Sequence, residues 1–252
     1  MIKVLMRGCN GRMGQMITSI VKDREDMVIS AGIDLFDGIT NTYPVYKNVK
    51  DVKEEYDVVI DFSKADADMD ELIDYCTDNK KPIVLCTTGL SDEQLSKVKA
   101  ASEKIAILRS ANMSLGINLL LKLLKEATGV LAENGFDIEI VEKHHNQKLD
   151  APSGTALALG DACNEALDNK YEYVFDRSTR RMKRPKEEIG YSAIRGGSIV
   201  GDHDVIFAGQ DEVITLSHSA YSRAVFAKGA VSAAAFLYDK VPGMYDMSDV
   251  IG

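Results

Sequence analysis

A glycine triplet directly after the first apolar run is the feature that most limits how this chain can fold. Residues 2–6 read IKVLM, and the following GCNGRMG places Gly8, Gly11 and Gly14 before an apolar helix pattern. Such glycines permit a tight turn, a close backbone approach to a phosphate, and close packing of helix on strand. Asp34 ends the next apolar run about 20 residues further on, where an acid can accept hydrogen bonds from ribose hydroxyls. A turn without a ligand would explain the glycines but not this whole order, which predicts dinucleotide binding.

Short apolar runs alternate with amphipathic segments through the first half of the chain. Helices are predicted over residues 65–79 and 91–103, and Ser91 and Gln94 have the spacing of a capping box at the start of the second. Apolar runs separated by helices are typical of βαβ units on a parallel sheet. The predicted strands are residues 2–6, 28–33, 58–61, 83–86 and 105–108.

The pattern changes after residue 113. Helices are predicted over residues 115–134 and 153–167, and a strand over FDIEIVEK between them. Three further strands, expected to form an antiparallel set, are residues 191–194, 204–207 and 212–217. The last apolar segment has helix composition and is expected to return to the first domain. The predicted fold class is therefore α/β: a Rossmann-type dinucleotide-binding domain of residues 1–113 plus 224–252, with an inserted α+β substrate domain of residues 114–223.

The charge balance excludes two classes of partner. The formal net charge is −9 and the isoelectric point is near 5.0, which argues against binding to nucleic acid or to an anionic membrane. The basic run at residues 180–186 has no interleaved aromatic residues and is interpreted as a solvated loop. The cysteines have neither CxxC nor matched histidine spacing, so no metal is expected. Without a signal peptide or a long apolar run, the chain is predicted to be cytoplasmic.

The segment EKHHNQKLDAPSGTA concentrates the chemistry of the second half. His144 and His145 are adjacent, and Lys148 follows in a loop-like stretch. The two imidazoles can face one ligand only where the strand breaks into a loop. An imidazole and an ammonium group could donate protons and balance an anion. A helix start with Gly154 and Thr155 offers amides to a carboxylate. Two surface histidines on a polar loop are the plainer alternative, but the neighbouring lysine and helix start favour a site for a small carboxylate.

Other polar residues of the second half carry weaker signals. Arg195 precedes a glycine pair and could reach a substrate carboxylate, although a surface arginine explains it equally well. His203 and His218 fall in strand patterns and are interpreted as ordinary strand residues. The sequence assigns no chemistry to these three positions.

The chain resembles the bacterial dihydrodipicolinate reductases of lysine biosynthesis nearly from end to end. The segments that carry the resemblance are GCNGRMG, EKHHNQKLDAPSGTA, IRGGSIVGDHDV and HSAYSRAVFAKGAVSAAAFL. The resemblance implies reduction by NADH or NADPH of a cyclic dicarboxylate, 4-hydroxy-tetrahydrodipicolinate, with loss of water. It also implies a homotetramer that assembles through the sheet of the inserted domain.

The same resemblance implies a role for individual residues. His144 corresponds to a proton donor and acceptor, and Lys148 to a second proton donor. His145, Gly154 and Thr155 correspond to substrate-binding positions. The implied cofactor-binding positions lie on the glycine loop and after the second, fourth and fifth strands of the first domain: Gly8, Cys9, Asn10, Gly11, Arg12, Met13, Asp34, Cys86, Thr87, Thr88, Ser110, Ala111, Asn112 and Met113.

The chain departs from the family pattern at three positions near the cofactor. Leu35 stands where a basic residue often follows the acid, Cys86 where glycine is usual, and Met113 where an aromatic residue is common. Asp34 would repel a 2′-phosphate, so NADH is the favoured cofactor. NADPH is the alternative, and Arg12 is the nearby cation on which it would depend.

Two other functions share part of this evidence. A different two-domain dehydrogenase, acting on an amino acid or its semialdehyde, would have the glycine loop but not HHNQKLDAPSGTA. A non-catalytic NADH-responsive protein would need Gly8 to Gly14 and Asp34, but not His144 with Lys148. The presence of the complete loop favours the reductase over both.

Overall fold

The computed structural model describes residues 1–252. Its backbone contacts divide the chain into two compact units, Met1–Leu115 with Ala224–Gly252, and Gly116–Arg223. The first contains a seven-stranded parallel sheet and the second a five-stranded mixed sheet. The predicted fold class, a Rossmann-type α/β domain with an inserted α+β domain, is confirmed.

The first unit is built on parallel strands in the order β12-β6-β5-β4-β1-β2-β3. The strands are β1 (Ile2–Arg7), β2 (Met27–Ile33), β3 (Val45–Tyr46), β4 (Val58–Asp61), β5 (Ile83–Leu85), β6 (Ala106–Leu108) and β12 (Gly243–Tyr245). The helices are α1 (Arg12–Lys22), α2 (Met69–Asp78), α3 (Asp92–Ser102), α6 (Ala224–Leu237) and α7 (Met247–Ile251), with a 3₁₀ turn at Val49–Asp51. Strand order reverses beside β1, which is where doubly wound sheets bind their ligands.

Both faces of the parallel sheet are buried, as the continuous apolar runs predict. Along β1, Val4 and Met6 pack in a core with α1 and α6, whereas Leu5 packs in a second core with α2 and α3. Helix α6 packs close to the backbone at Met113 because Gly229 has no side chain. A Cβ at Gly229 would be 1.6 Å from the Met113 carbonyl oxygen. Full burial of each such aliphatic side chain stabilises the fold by about 1.5–3 kcal/mol.

Local sequence signals set two of the helix starts. The capping box before α3 is confirmed, because the Ser91 side chain accepts from the Gln94 backbone and the Gln94 side chain accepts in return. Helix α2 begins at Met69 rather than at the predicted residue 65. Asp68, directly before it, has a φ of 50°, in the left-handed region, which interrupts the predicted helix.

The second unit contains a five-stranded sheet in the order β11-β10-β7-β9-β8. Its elements are α4 (Leu115–Leu131), β7 (Asp137–His144), α5 (Gly154–Glu165), β8 (Glu172–Val174), β9 (Glu188–Arg195), β10 (Gly201–Ala208) and β11 (Val213–Ala220). One face of this sheet packs on α4 and α5 through residues such as Ile140, Leu124 and Leu159. On β7, burial alternates with every residue, and His144 lies on the buried side.

The expected antiparallel set of three strands is wrong in one respect: β9 does not pair with β10 or β11. Strand β10 pairs antiparallel with β11, but its other neighbour is β7, also antiparallel. Strand β9 pairs parallel with β7 and with β8 instead. The interpretation of three successive strands as neighbours missed that β7, from earlier in the chain, lies between two of them.

The basic run is only partly a solvated loop. Arg184 donates hydrogen bonds to Asp137 at 2.8 Å and to Glu139 at 3.0 Å, which ties the segment to β7. Arg177, just before the run, pairs with the buried carboxylate of Glu188. These arginines therefore neutralise acids of the sheet. None of the helices is both long enough and apolar enough to cross a membrane.

Candidate active site

The glycine loop of the first unit fits tightly between β1 and α1. Gly8 has a φ of 78°, and a Cβ there would lie 2.4 Å from the Phe62 carbonyl oxygen. A Cβ on Gly14 would lie 2.2 Å from the Gly8 carbonyl oxygen. Gly11 caps α1 without a side-chain hydrogen bond, so the first turn has no side-chain acceptor at its N-cap. Amides at such a helix start suit an anionic phosphate, and the loop therefore fits a dinucleotide.

The side chains of three predicted loop contacts are buried or partly buried. Cys9 is fully buried, and burial raises the pKa of its thiol to about 12, with a smaller contribution from Asp34. Asn10 is also buried; its side chain donates to the Phe36 carbonyl and accepts from Asn41. Met13 packs against the core beside α1. Arg12, by contrast, is exposed at the helix start.

The Asp34 carboxylate organises the wall of the adjoining pocket. Its Oδ2 accepts from the backbone N–H of Asn10 at 2.8 Å, and its Oδ1 accepts from that of Phe36 at 3.0 Å. The pocket has a volume of about 430 Å³, and Asp34, Leu35 and Phe36 line it together with the glycine loop. The glycine loop and Asp34, from which the sequence predicts nucleotide binding, therefore line the same pocket.

Sequence reasoning missed two cations of this pocket. Lys47 and Lys64 both line it. The Lys47 ammonium group donates to the Leu35 carbonyl at 2.5 Å and lies 3.3 Å from Asp37. Arg12 is therefore not the sole cation available near Asp34. Lys47 precedes a 3₁₀ turn rather than following the acid, so the local motif gave no signal for it.

A buried polar network lies at the carboxyl ends of β1, β4 and β5. Asp61 is fully buried and pairs with Arg7 at 2.9 Å. It also accepts from the Thr87 hydroxyl at 2.6 Å and from the Ser63 hydroxyl at 2.7 Å. The Thr87 side chain, a predicted cofactor contact, is thus engaged with Asp61. A charged residue at the end of an otherwise apolar strand was the available signal for Arg7 and Asp61.

The remaining predicted cofactor positions follow β5 and β6. Cys86 is half-buried, and burial raises its pKa well above the ordinary value, so its thiol stays protonated. Thr88 is exposed beyond it. After β6, Met113 is buried in the core with α1 and α6, whereas the side chain of Asn112 accepts from the Ser114 amide. The intervening Ser110 is half-buried and Ala111 is exposed.

In the second unit, His144 ends β7 with its ring held by Glu142. Nδ1 of His144 lies 2.6 Å from Oε2 of Glu142, two residues back on the same face of the strand. Arg195 donates to both oxygens of this carboxylate at 2.7 Å. Arg195 therefore engages a neighbouring acid, and it is neither a lone surface residue nor aimed only at a ligand. Burial tends to raise the pKa of Glu142, but the bonds from Arg195 and His144 outweigh it and hold that pKa below its ordinary value.

His203 and the start of α5 complete the surroundings of His144. The two imidazoles lie edge to face, and Nε2 of His203 is 3.0 Å from the Ser153 hydroxyl. Ser153 is the N-cap of α5, since its side chain accepts from the Ala156 amide. The Ser153 amide itself donates to Glu142 at 3.0 Å. His203 is therefore more than an ordinary strand residue, a role that only the pairing of β10 with β7 reveals.

The other predicted substrate residues follow in the loop after β7. His145, just beyond the strand end, is half-buried, and its carbonyl accepts from the Lys148 amide. The Lys148 ammonium group pairs with Asp150 at 2.9 Å and holds the pKa of that carboxyl below its usual range. Gly154 and Thr155 form the first two positions of α5, the former exposed and the latter half-buried. The Lys148 ammonium group and the first-turn amides of α5 could therefore bind an anion, next to the ordered imidazole of His144.

Comparison with known proteins identifies one family over both units. The family models described as dihydrodipicolinate reductase, N-terminus and C-terminus, match residues 2–113 and 116–251. A 4-hydroxy-tetrahydrodipicolinate reductase of Caldanaerobacter subterraneus subsp. tengcongensis is 53% identical, covering 100% of this chain and 98% of the relative. One from Clostridium tetani is 51% identical, covering 98% and 96%. A dipicolinate-bound dihydrodipicolinate reductase structure from Paenisporosarcina sp. TG-14 aligns with a TM-score of 0.80, 25% identity, and 98% and 97% coverage.

Proposed function

This chain belongs to the dihydrodipicolinate reductase family, and from that premise we propose how it works as an oxidoreductase of diaminopimelate and lysine biosynthesis. Its reaction is the reduction of 4-hydroxy-2,3,4,5-tetrahydrodipicolinate to tetrahydrodipicolinate, with a nicotinamide dinucleotide as the reductant and with loss of water. The observation that carries the proposal is the ordered imidazole of His144 beside the capped start of α5. Reduction of a doubly charged imine requires both a proton source and an anion site.

The chemistry divides between the substrate, the cofactor and the side chains. The 4-hydroxyl leaves as water together with a proton from C5, which places a C4=C5 double bond in conjugation with the imine at C6. C4 then gains a hydride and C5 gains a proton, which gives tetrahydrodipicolinate. The bound nicotinamide supplies the hydride. The protein must therefore bind two carboxylates, orient the ring and deliver one proton.

His144 and Lys148 are the proposed proton carriers. Nδ1 of His144 faces Glu142, so Nε2 is the atom left to exchange a proton with the substrate. The Lys148 ammonium group, 2.9 Å from Asp150, serves as the second proton donor and as a counter-charge. A substrate carboxylate would compete with Asp150 for this ammonium group.

The substrate carboxylates are proposed to bind at His145 and at the start of α5. Gly154 and Thr155 occupy the first turn, where backbone amides point along the helix axis and the helix dipole favours negative charge. Ser153 accepts from Ala156 and so fixes this turn. His145 adds an imidazole beyond the end of β7.

The dinucleotide is proposed to bind along the glycine loop and the carboxyl ends of the parallel strands. Amides of residues 8–13 would hold the pyrophosphate, and Asp34 the adenosine ribose. Residues after β5 and β6, from Cys86 to Thr88 and from Ser110 to Met113, would contact the rest of the cofactor. We propose NADH as the favoured cofactor, because Asp34 repels a 2′-phosphate. Lys47, in the same pocket, offers NADPH a cation.

A homotetramer in the cytoplasm is part of the proposal. The sheet of the second unit leaves apolar side chains exposed, among them Ile194 at 47% and Val213 at 61%, and paired sheets would cover them. Light scattering on the purified protein tests the assembly. A Val213→Asp variant is expected to shift the mass towards smaller species. The four free cysteines agree with a reducing compartment.

One assay tests the reaction directly. The substrate is generated in situ by a synthase that condenses pyruvate with aspartate semialdehyde. Consumption of NADH and of NADPH is then followed separately at 340 nm, with the synthase or this enzyme omitted as controls. We expect oxidation of both nucleotides, with the higher kcat/KM for NADH. Oxidation of neither would contradict the proposed function, and a higher kcat/KM for NADPH would contradict the cofactor preference alone.

A further inference from the structure

The carboxylate of Glu142 accepts hydrogen bonds from residues of β7, of β9 and of the segment before α5. Only 1% of its side chain is exposed, yet it accepts four hydrogen bonds. They come from Nδ1 of His144 on its own strand, from both terminal nitrogens of Arg195 on β9, and from the backbone amide of Ser153 before α5. The same carboxylate therefore joins the proposed proton carrier to the start of the proposed anion-binding helix.

The bonds from Arg195 to Glu142 determine which ring nitrogen of His144 carries the hydrogen. A carboxylate held by a bidentate guanidinium group at 2.7 Å stays ionised and can only accept hydrogen bonds. The ring nitrogen 2.6 Å from it must then carry hydrogen. In the neutral ring this leaves the lone pair on Nε2.

The side of the His144 ring that carries Nε2 lies against a glycine. Gly201, at the start of β10, is the neighbour on this side, and a Cβ there would lie 3.0 Å from Nε2. His203 lies next to the same ring, with 5.1 Å between the centroids, and its Cε1 would be 3.8 Å from that Cβ. Glu142 therefore holds the ring at Nδ1, and the residue beside Nε2 is a glycine without a side chain.

We infer that Glu142 and Arg195 form a positioning pair that sets the tautomer and orientation of His144, so that Nε2 exchanges the proton in the reaction proposed above. Neither residue is assigned contact with the substrate. The pair acts through His144 and, by way of the Ser153 amide, on the start of α5. This inference rests on the proposed function for its kinetic consequence, but the tautomer itself is a property of the free enzyme.

A purely structural role for the pair makes a different prediction. If Glu142 and Arg195 only held β7, β9 and α5 together, their replacement would lower stability and leave the protonated nitrogen of His144 unchanged. If they set the tautomer, Glu142→Gln would change it, because the glutamine amide can donate to Nδ1 and leave the hydrogen on Nε2. Displacing the correct tautomer of a catalytic histidine lowers turnover by at least about tenfold and by up to about ten-thousandfold.

The test uses the full-length enzyme labelled with 15N-histidine. The chain has four histidines, and a His144→Gln variant assigns the signal of interest. Nitrogen–proton correlation spectra, recorded where the rings are neutral, report which nitrogen carries hydrogen. We expect Nδ1–H in the wild type and a shift towards Nε2–H in Glu142→Gln. We also expect kcat to fall by at least about tenfold in Glu142→Gln, with NADH affinity retained. Glu165→Gln, which alters an exposed carboxylate of α5, is the matched control and should resemble the wild type.

Two further variants keep the test decisive if Glu142→Gln does not fold. Glu142→Asp retains the charge but shortens the reach, and Arg195→Lys retains the charge but loses the bidentate geometry. Both are expected to mix the His144 tautomers and to lower kcat more than they raise KM. Wild-type Nδ1–H signals in the folded variants, at any level of activity, would overturn the inference. Failure of the wild type to oxidise either nucleotide would instead contradict the proposed function, and the tautomer spectra would still decide the role of the pair.

Discussion

The imidazole rings of His144 and His203 meet edge to face, with centroids 5.1 Å apart and planes inclined by 76°. Two adjacent imidazolium groups would repel each other in a buried site, which disfavours protonation of both rings at once. Burial, and next the charge of His144, lower the pKa of His203 to about 4. His203 is therefore neutral at physiological pH and supports His144 without competing for its proton.

This lowered pKa predicts a pH dependence of stability. The ordinary pKa is 6.5 and the folded value is about 4, so between these values the unfolded chain binds a proton that the folded chain does not. The contribution of His203 is complete above pH 6.5 and declines as the pH falls towards 4. It amounts to at most on the order of 3 kcal/mol. Urea unfolding between pH 7.5 and pH 4.5 measures it.

The matched variant for this experiment is His203→Gln, which keeps a polar group near Ser153 but does not titrate. Its unfolding free energy should change less with pH than that of the wild type, since only the contribution of His203 is removed. An equal pH dependence in both proteins would show that His203 is not held neutral in the folded state.

Much of the fold follows from local sequence pattern, and the errors arise where an element is too short or where strand pairing is non-local. The strand at residues 58–61 is confirmed as β4, because a buried parallel strand is a continuous apolar run. Strands β3, β8 and β12 have two or three residues, too few to show a period. The neighbours of β9 were predicted incorrectly, because its partner β7 lies about 50 residues earlier in the chain and such pairing depends on tertiary contacts.

The residues of the candidate site were likewise predictable only in part from the local sequence. The sequence indicates His144 and Lys148 because they share one polar loop. Glu142 was visible only as a residue of the preceding strand; two-residue spacing puts it on the face of His144, but nothing local shows that it is buried. Arg195 and His203 reach it from other strands, through registers that pair His144 with Arg195 and Glu142 with His203. These contacts depend on non-local register, which a single sequence does not specify.

Replacing Lys148 with alanine tests the second proton donor. We expect kcat to fall by at least about a hundredfold, because one general acid and one counter-charge are lost together. The affinity for NADH, measured by fluorescence titration, should not change, since the glycine loop is intact. Lys170→Ala is the matched control: Lys170 also pairs at 2.9 Å with an acid two residues away, Asp168, but lies outside the proposed site. Loss of NADH binding in Lys148→Ala would contradict the assignment.

Neutralising Asp34 tests the basis of cofactor preference. Asp34→Asn removes the charge that opposes a 2′-phosphate and keeps an acceptor for the Asn10 amide. We expect the ratio of NADPH to NADH affinity to rise on the order of tenfold, which corresponds to about 1.4 kcal/mol. Calorimetric titration with each nucleotide measures this without turnover. Lys47→Ala should change the same ratio in the opposite direction, because it removes a cation of the pocket.

Glu25, an exposed acid just before β2, provides the control for general charge effects. It does not line the pocket, so Glu25→Gln should change the ratio much less than Asp34→Asn. Equal effects of the two variants would mean that net charge, and not contact with the ribose, determines the preference.

Two glycine-to-alanine replacements should have opposite effects on stability. At Gly14 the new methyl group would lie 2.2 Å from the Gly8 carbonyl oxygen and 2.6 Å from Cα of Cys9, so the glycine loop must move. We expect lower stability and weaker NADH binding than in the wild type. Gly129, inside α4, has no neighbour within 4 Å of the new methyl group, and alanine favours a helix by about 1 kcal/mol over glycine. Thermal unfolding and NADH titration of both variants measure the contrast. If Gly14→Ala bound NADH as tightly as Gly129→Ala, the close contact between loop and helix would not be what forms the phosphate site.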